Sequence, residues 1–387
     1  MFITDDVKYI GVDDHKIDLF EGQYIVPEGM SYNSYVIMDE KIAVLDTVDW
    51  DFREEWLNNL KAVLNGKKPD YLVVHHMECD HSSVIGDFVK EYPDATVVSS
   101  NAAFNMMKNI YGATFEPKKQ VVKDGDILEL GKHSLQFVTA PNVHWPEVIF
   151  SYDKTDKILF SADAFGKFGA LDFDDPEGWA CEARRYYFGI VGKFGVNVQA
   201  ALKKVSAFDI KTICSLHGPI LNDDISYYVN LYDTWSKYEP EEKGVTIAYS
   251  SVYGNTKEAV LFLEEELKKR NVEVSVFDLA RDDQAEAVED AFKLDRLVLA
   301  TTTYNGGIFP CMKTFIDHLL DHNYQNRTIS FIENGMWAPQ AMKHMKALTD
   351  TLKNITYTAN NVTIKGATND LVKENLSKLA DELKELN

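Results

Sequence analysis

The sequence predicts a two-domain α/β chain, with an αββα sandwich over residues 1–243 and a doubly wound parallel sheet over residues 244–387. Three observations predict it. A chain of 387 residues is too long for one ordinary core and suits two. In the first half, strands meander on either side of strand–helix units. After the charged stretch "YDTWSKYEPEEKG" (Tyr232 to Gly244) short apolar strands alternate regularly with helices.

The elements follow in order. "SYVIMDEKIAVLDTV" reads as strand, tight turn at Asp39-Glu40, and strand. "DFREEWLNNLKAVLNG" carries Trp56, Leu57, Leu60 and Leu64 at helical spacing, with Gly66 as the stop. "YLVVHH", "ATVVSS", "SLQFVTAP", "VIFSYD" and "KILFSAD" are strands, and "SVIGDFVKEY" and "AAFNMMKNIY" are helices. In the second half "GVTIAYSS", "VEVSVFDLA", "RLVLATTTY" and "RTISFIENG" are strands. "TKEAVLFLEEELKKR" and the closing "NDLVKENLSKLADELKEL" are amphipathic helices.

Composition removes several functions. The net charge of −21 argues against a nucleic-acid or anionic-membrane surface. With 45% hydrophobic and 26% charged residues the chain is globular rather than disordered. No signal peptide and no bilayer-length apolar run is visible. Cys79, Cys181, Cys214 and Cys311 form no CxxC pair, so neither a disulfide framework nor a thiolate metal site is expected. The expected compartment is the cytoplasm.

The chemistry concentrates in "VHHMECDHSS", which spans Val74 to Ser83. In an extended segment His76, Glu78 and Asp80 share a face, and a turn brings His81 round to join them. His144 in "APNVHWPE", Asp163 in "LFSADAFG" and His217 in "SLHGPI" each follow an apolar strand, where a rigid scaffold holds functional side chains. Four imidazoles and three carboxylates are too many for one tetrahedral zinc and suit two ions sharing a bridging carboxylate. Nitrogen and oxygen donors without thiolate favour iron, manganese or zinc. His75 should face the other side of its strand, and His133, His318, His322 and His344 read as structural.

A second constellation lies in "YSSVYGNTKEA" (Tyr249 to Ala259). It has neither the P-loop lysine nor the dinucleotide glycine spacing. Ser251, Val252, Tyr253, Gly254, Asn255 and Thr256 instead offer hydroxyls, an amide and a bendable backbone ahead of a helix N-terminus, a cradle for a phosphate monoester. Two more loops follow strands, "ATTTYNGGIFP" and "IENGMWAP". Tyr304 and Trp337 there suit a flat ring at the carboxyl ends of the sheet; core packing is the alternative.

His-x-Glu-x-Asp-His resembles the metallo-β-lactamase signature His-x-His-x-Asp-His, with Glu78 replacing the second histidine. A carboxylate there adds charge and a harder donor, favouring iron over zinc. With "NVHWP", "LFSADAFG" and "HGPI", the pattern resembles the flavodiiron (A-type flavoprotein) family. That resemblance implies a metallo-β-lactamase-like domain fused to a flavodoxin-like one. It implies that His76, Glu78 and His144 hold one iron, Asp80, His81 and His217 the other, and that Asp163 bridges them. The three C-terminal loops resemble flavodoxin, which implies FMN, with Thr303, Tyr304, Asn305, Gly306, Gly335, Met336 and Trp337 at the isoalloxazine. Thr302 stands where a proline is common before Thr-Tyr-Asn.

The resemblance further implies reduction of dioxygen to water, of nitric oxide to nitrous oxide, or of both. Two irons and a flavin supply the four electrons that dioxygen requires. It implies a homodimer or dimer of dimers, arranged head to tail so that one subunit's flavin serves its partner's irons. With no rubredoxin-like extension visible, a separate electron donor such as rubredoxin is expected. Two rivals remain at this stage: a zinc hydrolase with a regulatory flavodoxin domain, and an electron carrier with a structural metal.

Overall fold

The structure is a computed structural model that describes residues 2–173, 176 and 178–386. It divides into two compact units, residues 1–233 and 234–387.

In the first unit two sheets face each other. One runs Val7–Tyr9, Tyr35–Ile37, Ala43–Leu45, Tyr71–Val73, Thr96–Ser99 and Lys119–Val121, antiparallel for the first pairs and parallel thereafter. The other runs Ile127–Glu129, Ser134–Thr139, Ile149–Asp153, Ile158–Phe160 and Thr212–Cys214. Their inner faces contribute Val7, Tyr35, Ile37, Leu45, Val73 and Val98 from one side to a single core. Leu128, Leu135, Phe137, Ile149, Ile158 and Phe160 come from the other. This shared core makes the unit the αββα sandwich read from the sequence.

The helix Arg53–Leu64 buries Trp56, Leu60 and Leu64 at helical spacing, while Leu57 is only partly covered. It stops one residue earlier than the glycine signal indicated. Asn65 takes the left-handed conformation (φ 45°) and its amide donates to Lys61 O at 3.1 Å. Asparagine is one of the few residues that tolerates this conformation, so it serves as the stop ahead of Gly66.

In the second unit the strand order is Val274–Asp278, Glu242–Tyr249, Leu294–Tyr304, Thr328–Asn334, all parallel. The fifth position is split between Thr356–Tyr357 and Val362–Ile364, which pair with successive parts of Thr328–Asn334. This is the doubly wound order 2-1-3-4-5 of flavodoxin-like sheets. The helices Asn255–Lys269 and Asp370–Glu385 cover one face through Val260, Leu263, Leu267, Val372, Leu376 and Leu379. Among the described residues no helix is long and apolar enough to cross a membrane.

Candidate metal centre and flavin pocket

All seven sequence-selected donors of the first unit come together. Their oxygen and nitrogen atoms fall into two groups, His76, Glu78, His144 and Asp163 in one and Asp80, His81 and His217 in the other. Asp163 lies between the groups. Its Oδ2 is 3.1 Å from His76 Nε2 and 3.3 Å from His144 Nε2, and its Oδ1 is 3.4 Å from His81 Nε2 and 3.7 Å from His217 Nε2. Glu78 Oε2 approaches His144 Nε2 at 3.0 Å, and Asp80 Oδ2 lies 3.3 Å from both His81 Nε2 and His217 Nε2.

The local route differs from the extended alternation expected. His76 follows the strand Tyr71–Val73 outside any helix or strand, and Glu78 does sit on extended chain. Asp80 and His81 belong to a helical turn, Cys79–Ser82, in which His81 N donates to Glu78 O at 3.0 Å. Consecutive helical residues point about 100° apart, so a turn rather than a strand face divides the motif between the two groups. Asp163 stands in a loop where Ala162 (φ 49°) and Phe165 (φ 68°) both take positive φ. Non-glycine residues held there cost of order 1–3 kcal/mol each and concentrate at functional sites.

The donors fit metal ions. Both oxygens of Asp80 and both of Asp163 are buried without a hydrogen-bond partner, although ring nitrogens stand close by. Buried polar atoms are nearly always satisfied. Lone pairs aimed at a common centre, rather than donors aimed at acceptors, are the arrangement of ligands around a cation. Without a cation, the acids and imidazoles neutralise one another. Burial works against ionisation of Asp163, yet His76, His144 and His81 hold its carboxyl well below the usual range. Burial likewise opposes protonation of His144, but Asp163 and Glu78 push it up to about 9. Bound cations would replace those protons.

Two imidazoles have their tautomer fixed. His217 Nδ1 donates to the carbonyl oxygen of Ser31 at 2.7 Å, and His76 Nδ1 to Glu147 Oε1 at 2.8 Å. With Nδ1 occupied in this way, each would offer its Nε2 lone pair to a bound cation. Neither Ser31 nor Glu147 was singled out in the sequence; Glu147, three residues beyond His144, was the one with a visible carboxylate. His75 turns away, with Nδ1 on Asp46 Oδ2 at 2.5 Å and Nε2 on Ser151 Oγ at 2.7 Å. His133 joins Asp153 and Asp156 in a third acidic convergence. There Asp153 accepts from His133 Nδ1 and from the amides of Thr155 and Asp156, so its oxygens are satisfied by the protein. That group is an ion-pair network.

The rings of Phe20, Tyr32 and Tyr186 pack on His217 with centroids at 5.4–5.9 Å, and Trp145 packs on His76 at 5.2 Å. The rings of Phe20, Tyr32 and Tyr186 thus cover the Asp80–His81–His217 side, whose three donors are all buried.

In the second unit the three loops line a pocket of about 630 Å³. Ser251, Val252, Tyr253, Asn255, Thr256, Thr303, Tyr304, Asn305, Gly306, Gly335, Met336 and Trp337 all line it, as do Thr302, Asn334, Ala338, Gln340 and Gly366, which the sequence reading did not select. Gly254 is not among the lining residues; it makes the turn into the helix at φ 91°. Trp337 is 90% exposed and Tyr304 46%, so neither packs in the core. Ser251 Oγ accepts from the amides of Gly254 (3.1 Å) and Lys257 (3.2 Å), and Thr303 Oγ1 from those of Gln340 and Ala341. These two hydroxyls therefore cap helices as well as facing the pocket.

Residues 30–218 match the family described as ODP family beta lactamase, and residues 246–371 match a flavodoxin domain. The nitric oxide reductase of Moorella thermoacetica is 31% identical over 88% of this chain and 87% of its own length. The chain belongs to the flavodiiron protein family. The flavodiiron protein of Giardia intestinalis superposes with a TM-score of 0.92 at 27% identity, covering 100% of this chain and 97% of its own. Rubredoxin oxygen:oxidoreductase from Desulfovibrio gigas superposes with a TM-score of 0.93 at 23% identity, covering 100% and 98%, a likeness of fold. The diflavin flavoprotein A 2 of Synechocystis is 34% identical over 70% of this chain but 47% of its own length, so this flavodiiron chain spans about half of such relatives.

Proposed function

We propose that this flavodiiron protein is an oxidoreductase that reduces dioxygen to water, nitric oxide to nitrous oxide, or both. The supporting observation is the pair of donor groups joined by Asp163, whose carboxylate oxygens divide between His76 and His144 on one side and His81 and His217 on the other. In this reading His76, Glu78 and His144 would hold one iron, Asp80, His81 and His217 would hold the second, and Asp163 would serve both. The names of relatives, nitric oxide reductase and rubredoxin oxygen:oxidoreductase, point to the same two gases. They favour this reading over a zinc hydrolase.

An iron pair and FMN, when bound, would supply the electrons: four for dioxygen, or two for joining two nitric oxide molecules. The chain's own part is positional. His217 and His76, pinned through Nδ1, keep Nε2 directed at the cluster. The rings of Phe20, Tyr32 and Tyr186 exclude water from one side of it. In the second unit, Asn255, Thr256 and the N-terminus of the helix Asn255–Lys269 would receive the FMN phosphate, and Tyr304 and Trp337 would lie against its ring. Electrons would arrive from a separate donor of the rubredoxin kind, and a homodimer would let one subunit's flavin serve its partner.

The experiment is a single reduced sample given each gas in turn, in iron-loaded and zinc-loaded forms. Consumption of either gas by the iron form alone, dependent on reduced flavin, supports the proposal. Reductant-independent ester or thioester hydrolysis by the zinc form, with no gas consumed by the iron form, contradicts it.

A further inference from the structure

The two halves of the cluster are backed by different chemistry. Glu147 has a fully buried side chain, and its Oε1 accepts from His76 Nδ1 at 2.8 Å and from the amide of Met77 at 2.8 Å. Its Oε2 is buried without a hydrogen-bond partner among the described residues. On the other side the corresponding nitrogen of His217 donates to a neutral carbonyl, Ser31 O. The Nδ1 of His81 has no hydrogen-bond partner among the described residues. The group of His76, Glu78 and His144 therefore feels one carboxylate as a ligand and a second through an imidazole. The group of Asp80, His81 and His217 has Asp80 of its own and, among the described residues, no carboxylate hydrogen-bonded to the far nitrogen of either imidazole. A carboxylate behind a histidine draws its proton, makes the ring a stronger donor and stabilises the more highly charged metal. The side chains of Glu147 and His76 are both fully buried, so charge on this pair is little screened.

We propose that Glu147 is a positioning residue that makes the two metal positions unequal, giving the ion at His76, Glu78 and His144 the lower reduction potential. This rests on the iron-pair reading above. On stepwise reduction one electron would go first to the ferric ion at Asp80, His81 and His217, and a second electron to the ion at His76. Both electrons come from an external titrant such as reduced viologen, each converting one ferric ion to ferrous. The asymmetry gives the centre a stable one-electron stage, matched to a donor and a flavin that deliver electrons singly.

The test is a reductive titration of the iron- and FMN-loaded full chain, followed by electron paramagnetic resonance and by Mössbauer spectroscopy. Wild-type protein should show two separate one-electron iron steps. Glu147→Gln keeps an oxygen able to accept both N–H groups but removes the charge. It should raise the second step and leave the first and the flavin steps in place, lowering the equilibrium constant for the half-reduced state at least tenfold, about 59 mV for a one-electron couple. Glu147→Asp, which keeps the charge, should retain two steps. A single two-electron step in the wild type, or equal movement of both steps in Glu147→Gln, overturns the inference while leaving the enzyme reading intact. Wild-type protein that holds no iron pair overturns the reading itself, and this inference with it.

Discussion

Asp163 faces His76 through Oδ2 at 3.1 Å, while its other oxygen faces the second group of donors. No other carboxylate touches imidazoles of both groups among the described residues. Replacing Asp163 by alanine should therefore lower iron from about two per chain to one or fewer and abolish gas consumption, with FMN content unchanged. Metal analysis alongside flavin absorbance checks this.

Glu78 is the position at which the motif departs from the metallo-β-lactamase pattern. A histidine there would remove a negative charge and soften the donor set. Glu78→His should raise the zinc-to-iron ratio of protein produced with both metals present, and weaken retention of ferric iron. Elemental analysis of parallel preparations reads the ratio.

Thr256 is buried at the start of the helix Asn255–Lys269, with its hydroxyl 3.2 Å from that of Thr302. A hydrogen bond to a charged group contributes about 1.5–3 kcal/mol. Thr256→Ala should weaken FMN binding by roughly 10- to 100-fold by that measure. Riboflavin, which lacks the phosphate, should bind as it does to the wild type. Fluorescence titration with both flavins separates the phosphate cradle from the ring site.

His133 gives a pH signature remote from the cluster. Its bond to Asp153 raises it from its usual 6.5 to about 9, and Asp6 adds to this against the opposing effect of burial. A histidine raised in the folded state contributes stability fully below its unfolded value of 6.5, and loses it as pH rises through 9. His133→Gln should lower Tm more at pH 6 than at pH 9.5. Thermal melts of both proteins across that window test the sign; a gap that widens with pH contradicts it.

Much of the centre was legible because side-chain type and strand ends carry the information. His76, His144, Asp163 and His217 each follow an apolar run, and the structure gathers them. The three loops that line the pocket of the second unit were legible for the same reason, since the carboxyl ends of a parallel sheet are where such loops converge. What escaped was tertiary. Ser31 acts through its carbonyl oxygen, which every residue possesses, so nothing in the sequence marks it. Glu147 is one of 61 acidic residues, and only folding brings it beneath His76. The helical turn at Cys79–Ser82 is short, and the period-two spacing of His76, Glu78 and Asp80 concealed it. Asn65 displaced Gly66 as a helix stop because both tolerate positive φ.

The most direct test is a crystal structure of iron-loaded protein with anomalous scattering recorded at the iron edge. Two iron peaks are expected on either side of the Asp163 carboxylate, one ringed by His76, Glu78 and His144, the other by Asp80, His81 and His217. A single peak, or two peaks without Asp163 between them, would contradict a paired-iron centre.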